Sequence, residues 1–99
     1  MSNIPLISIA VLKAKAGRRD DLRAALSALV PPTRQEPGCL DYTLFELSDE
    51  PGSFYMRESF ENRAALDTHF ATPHFRAFEQ RADELLDTPI RLVFLEKVA

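Results

Sequence analysis

The chain has 99 residues, 45% of them hydrophobic, which suits one small domain over residues 1–99. A domain this short buries a modest share of its surface alone, so pairing with a second copy would add to its core. A net charge of −3, with no stretch basic throughout, excludes the electrostatic footprint of a protein that binds nucleic acid or an acidic membrane.

The chain opens MSNIPLISIAVLKAKAG, without the basic lead or cleavage site of a signal peptide. No apolar run approaches the roughly 20 residues that cross a bilayer, so a soluble cytoplasmic protein is expected. The run rich in β-branched residues predicts a strand over about 5–14. Ile7, Ile9 and Val11 point one way and Leu6, Ala10 and Leu12 the other, so both faces are apolar and both should be covered.

GRRDDLRAALSALV follows, with Leu22, Ala25, Leu26 and Leu29 at helical spacing; Pro31 and Pro32 are expected to end or kink that helix. Glu36-Pro37-Gly38 reads as a turn. Residues 39–48 and 53–60 read as the arms of a hairpin with its tip at Asp49-Glu50-Pro51-Gly52. The first arm places Leu40, Tyr42 and Leu44 opposite Phe45 and Leu47, and the second alternates Phe54, Met56, Glu58 and Phe60 against Tyr55, Arg57 and Ser59. Cys39, the only cysteine, cannot form an internal disulfide or a multi-cysteine metal site, and reads as a small apolar residue.

Asn62 is a helix cap, with Leu66 and Phe70 on one face and His69 beside them. Thr72-Pro73 restarts a helix whose apolar stripe is Phe75, Phe78, Ala82 and Leu85. Pro89 precedes a last strand, IRLVFLEKV. The order β, α, β, β, α(α), β is that of the ferredoxin-like split βαβ, an α+β fold with helices on one face of a sheet. Strands apolar on both sides predict a homodimer in which two sheets close on each other into a barrel.

The two histidines, His69 and His74, allow three readings: a metal site, a catalytic site, or the inner side of a helix pair. Five residues apart on a helix is about 140° around the axis, and Pro73 interrupts the helix between them, so no metal site is expected. His74, at a helix start, suits a capping, surface or anion-binding role. His69 borders the apolar stripe and should face the sheet near Glu58. A buried carboxylate usually needs a partner, and an imidazole is a suitable one. The pair serves either proton transfer or a fixed structural hydrogen bond.

EPGCLDYTLF and FYMRESFENRAALDTHFATPHFRAF together resemble the antibiotic biosynthesis monooxygenase family, and within it the small quinol monooxygenases. The resemblance covers about residues 5–98. It implies a dimeric α+β barrel with a cavity between sheet and helices in each protomer. It also implies oxidation of a quinol or polyphenol by molecular oxygen without flavin, haem or metal. Carried onto this chain, it makes His69 the proton acceptor or a donor to a substrate oxygen, with Glu58 orienting it. Tyr42 becomes a phenolic donor, and Met56, Phe60 and Phe70 an apolar wall that binds substrate. Phe60 stands where many members have tryptophan, and lacks the indole donor. Ala10 stands where the haem-degrading branch has asparagine, which argues against that chemistry. Two alternatives remain: a protein that binds or isomerises a phosphorylated or polar metabolite through Arg57, Arg91 and His74, and a structural dimer whose pocket has closed.

Overall fold

A computed structural model describes residues 4–99. Its elements are β1 (Leu6–Lys13), α1 (Arg19–Arg34), β2 (Cys39–Glu46), β3 (Ser53–Phe60), α2 (Arg63–Phe70), α3 (Pro73–Gln80), α4 (Ala82–Leu85) and β4 (Arg91–Leu95). The four strands form one antiparallel sheet in the order β2-β3-β1-β4. This is the ferredoxin-like α+β fold expected from the order of elements.

Register decides which side chains face the helices. Ser8 lies opposite Glu58, and Glu58 opposite Tyr42; Ala10 lies opposite Met56, and Met56 opposite Leu44. These rows alternate with Ile9–Arg57–Thr43 and Val11–Tyr55–Phe45, which point away from the helices. The buried layer joins Ala10, Leu12, Tyr42, Phe54, Met56 and Phe60 of the sheet to Leu22, Leu26, Leu29, Leu66, Phe78 and Leu85 of the helices. Each fully buried leucine contributes about 1.5–3 kcal/mol relative to exposure.

Two local expectations are corrected. Pro31 and Pro32 lie inside α1 and do not end it. Each removes one amide donor, and the carbonyls that lose their partners belong to Ser27 and Ala28, both on the exposed side where water can replace them. The buried stripe Leu22, Leu26, Leu29, Thr33 therefore runs on past the prolines. Leu40 does not share a face with Tyr42 and Leu44. The register shifts between Cys39 and Asp41, so Leu40 is the extra residue of a bulge and is 54% exposed.

The caps fall where expected: Asn62 accepts from the amide of Ala65, and Thr72 from that of Phe75, with Pro73 in the first turn of α3. Gly38 has a different role. A Cβ placed on it would stand 2.4 Å from Cβ of Ala65, so only glycine lets α2 approach the 36–38 turn this closely.

Candidate active site

Between the sheet and α1 and α3 lies a cavity of about 360 Å³. Its walls are almost wholly apolar, with Leu12, Leu29, Met56, Phe75, Phe78 and Leu92 prominent. The exceptions are Tyr42, Glu58 and Glu79. Glu58 is there because β3 alternates strictly: Phe54, Met56, Glu58 and Phe60 all turn inward, and the carboxyl is carried in with the apolar set. Its Oε1 is buried and has no hydrogen-bond partner among the described residues. Burial first, and the charge of Glu36 second, push its pKa up to about 8, so the group is mostly a neutral acid at pH 7. Tyr42, opposite it on β2, is also held neutral, its pKa pushed well up by burial and then by the charges of Glu58 and Glu36.

His69 sits behind this cavity, not in its lining. The ring is fully buried and packed among Tyr42, Phe60, Phe70 and Phe75, with centroids 5.3, 5.1, 5.6 and 5.1 Å away. Its hydrogen-bonded carboxylate is Glu36, not Glu58. His69 Nδ1 lies 2.9 Å from Glu36 Oε2, and His74 Nε2 lies 2.6 Å from the same oxygen. Spacing along the chain pointed to Glu58 because it sits on the strand just before α2. The side that Nδ1 presents, however, faces the 36–38 turn that Gly38 draws close. Nε2 of His69 is buried without a hydrogen-bond partner among the described residues. Burial lowers the pKa of His69 and the Glu36 hydrogen bond opposes that shift.

Of the seven residues expected to form the site, Tyr42, Met56, Glu58 and Phe70 line the cavity. His69, Phe60 and His74 do not; they form an adjoining cluster with Glu36. In the sequence Glu36 stands out only through the Glu36-Pro37-Gly38 turn and the EPGC stretch of the resemblance, with no role at the site. The one signal in the sequence is a carboxylate at the start of a Pro-Gly turn, and it does not by itself point to the histidines.

Glu36, His69 and His74 also form a donor set that could hold a metal ion, with ligand atoms all within 4.8 Å of one another. Around an ion with bonds of about 2.0–2.1 Å, neighbouring donor atoms stand roughly 3.0–3.4 Å apart. The contacts of 2.9 and 2.6 Å instead have hydrogen-bond lengths, and one oxygen serves both rings.

The arginines of the phosphate-binding alternative are elsewhere. Arg57 faces away from the helices and donates to Asp41 at 2.6 Å, and Arg91, opposite Val11, is exposed. Neither lines the cavity. The outward side of the sheet is mixed: Phe45, Tyr55 and Leu95 are 47, 38 and 45% exposed beside Ile7, Ile9, Val11 and Val93, and the Arg57–Asp41 pair, Thr43 and Arg91 share that side. Among the described residues no helix is long and apolar enough to cross a membrane.

Comparison with known proteins agrees with this architecture. Residues 5–81 match the family described as "Antibiotic biosynthesis monooxygenase". The chain is 36% identical over 91 residues to the Mycobacterium tuberculosis protein named "Putative monooxygenase Rv0793", covering 92% of this chain and 89% of that one. It is 35% identical over 88 residues to an uncharacterized Synechocystis protein, sll1783, covering 89% of this chain but spanning only 60% of that protein's length. Among solved structures, PA3566 from Pseudomonas aeruginosa superposes with a TM-score of 0.93 at 37% identity, covering 100% of this chain and 98% of the other. The Rv0793 structure superposes with a TM-score of 0.89 at 34% identity, covering 97% of each chain. A family match over most of the chain, with relatives above 30% identity along nearly all of it, shows that this chain belongs to the antibiotic biosynthesis monooxygenase family.

Proposed function

We propose that the protein is a cofactor-independent monooxygenase acting on a quinol, polyphenol or similar aromatic molecule. The observation that carries this reading is the cavity: apolar and aromatic, about 360 Å³, with Glu58 and Tyr42 as its buried polar groups and no cationic side chain in its lining. Such a lining receives a neutral ring bearing hydroxyl groups. It disfavours a phosphorylated ligand, which needs the arginines or lysines that this wall lacks.

Membership of the family supports oxygen as the co-substrate. For a simple quinol the balanced reaction is quinol plus O₂ giving hydroxyquinone plus water. Glu58, with a pKa near 8, is suited to take the phenolic proton at mildly alkaline pH, and Tyr42 to donate a hydrogen bond to the oxygen left negative. The electron-rich ring anion then passes an electron to O₂. Recombination of the pair forms a carbon–oxygen bond, and cleavage of the O–O bond with return of the proton releases water. The apolar wall of Met56, Phe70, Phe75 and Phe78 holds the ring and keeps bulk water out. His69 acts from behind, as a positioning residue packed against Tyr42 and Phe70.

The partner we propose for the outer sheet face is a second copy of the chain. The apolar residues of one protomer's outer face would close on those of the other, and the extra burial suits a domain of this size. The reaction is tested by incubating the protein with a panel of quinols under ¹⁸O₂. One labelled oxygen in the product and one in water supports the proposal; product that carries no ¹⁸O contradicts it.

A further inference from the structure

We infer that Glu36 is a positioning residue of this site: one oxygen of its carboxylate accepts hydrogen bonds from Nδ1–H of His69 and Nε2–H of His74, fixing His69 as the Nδ1–H tautomer and setting an anion behind the cavity wall. For its effect on catalysis this rests on the reading of Glu58 as the proton acceptor; the tautomer does not.

The geometry carries the assignment. Two ring nitrogens approach one oxygen, at 2.9 and 2.6 Å. A carboxyl has at most one proton, so at least one ring must donate. With Glu36 ionised both donate, and Oε2 and both ring nitrogens are satisfied at once. The three groups come from separate segments: the turn between α1 and β2, the last turn of α2 and the first turn of α3. The Glu36 side chain is 10% exposed, His69 is closed off completely, and His74 is 23% exposed, so the cluster runs from the protein interior to its edge. Once Nδ1 carries the proton, Nε2 of His69 keeps a lone pair, and that atom has no partner among the described residues.

The anion acts on the cavity through space. Its charge is one of the causes that raise the proton affinity of both Glu58 and Tyr42, after burial itself. The other titratable groups around Glu58 are Tyr42 and Cys39 of β2, Glu79 of α3 on the same cavity, and His69 of α2 behind it. Glu36 is the one among them bound by two imidazole donors.

The test is ¹⁵N spectroscopy of the imidazoles in the full chain, with His74→Asn to assign the two rings. The expected result is a neutral His69 protonated at Nδ1 and unprotonated at Nε2. The opposite tautomer in the wild-type protein overturns the inference. So does uptake of one equivalent of added Zn²⁺ with loss of both N–H signals, since the three donors would then form a metal centre. In Glu36→Gln the titration of Glu58, followed by carboxyl ¹³C signals, is expected to fall by about half a unit or more; an unmoved Glu58 overturns the electrostatic part. If Glu36→Gln does not fold, the wild-type tautomer decides alone. Neither readout needs turnover, so failure of the oxygenase reading would not be mistaken for failure of this one.

Discussion

His69 Nδ1 and Glu36 Oε2 stand 2.9 Å apart, joining the last turn of α2 to the turn that precedes β2. This bond is buried, and its loss leaves Glu36 with one imidazole donor in place of two. His69→Ala also removes a ring surrounded by four aromatic neighbours. We expect it to destabilise the fold by about 2–4 kcal/mol in urea titration, with the urea midpoint of Phe60→Leu falling less.

Gly38 sets this meeting point. Its α-carbon faces Ala65, and Gly38→Ala would force two methyl groups to within 2.4 Å of each other unless α2 moves. The expected cost is about 1–3 kcal/mol. Adding Ala65→Gly should restore most of it, because the clash lies between those two side chains; a double mutant no more stable than the single one would contradict the contact.

The pH dependence of stability has a definite sign. Glu58 binds its proton more tightly in the folded state, with a pKa of about 8, than in the unfolded chain at about 4.5. Between those values the folded state holds more protons, so unfolding free energy falls as pH rises. The contribution is fully present below about 4.5 and lost through about 8. Glu58→Gln, which cannot ionise, should flatten this slope in chemical denaturation curves measured from pH 5 to about 9.

Much of the architecture was legible because it is written in local periodicity. Residues 53–60 alternate cleanly, and that alternation alone puts Glu58 inside with Met56 and Phe60. Asn62 and Thr72-Pro73 are chemical signals that act within one turn. What was missed is longer in range. The bulge at Leu40 depends on how β2 meets β3, and the passage of α1 through Pro31-Pro32 depends on which carbonyls face water. The pairing of Glu36 with His69 spans 33 residues and depends on a close approach that no local pattern encodes.

The outer sheet face gives a prediction about assembly. Tyr55 and Leu95 are exposed in the single chain, so Tyr55→Lys with Leu95→Lys should cost the protomer little. If two copies close sheet on sheet, the double variant should sediment as a monomer where the wild type sediments as a dimer. Equal masses for both proteins would contradict that partner.

The most direct measurement is oxygen consumption with a quinol panel, comparing the wild-type chain with Glu58→Gln across pH. The account predicts uptake by the wild type that rises through about pH 8, as Glu58 loses its proton, and a drop of about 100-fold or more in the variant. Equal uptake by the two proteins, or none by the wild type with any quinol, would contradict it.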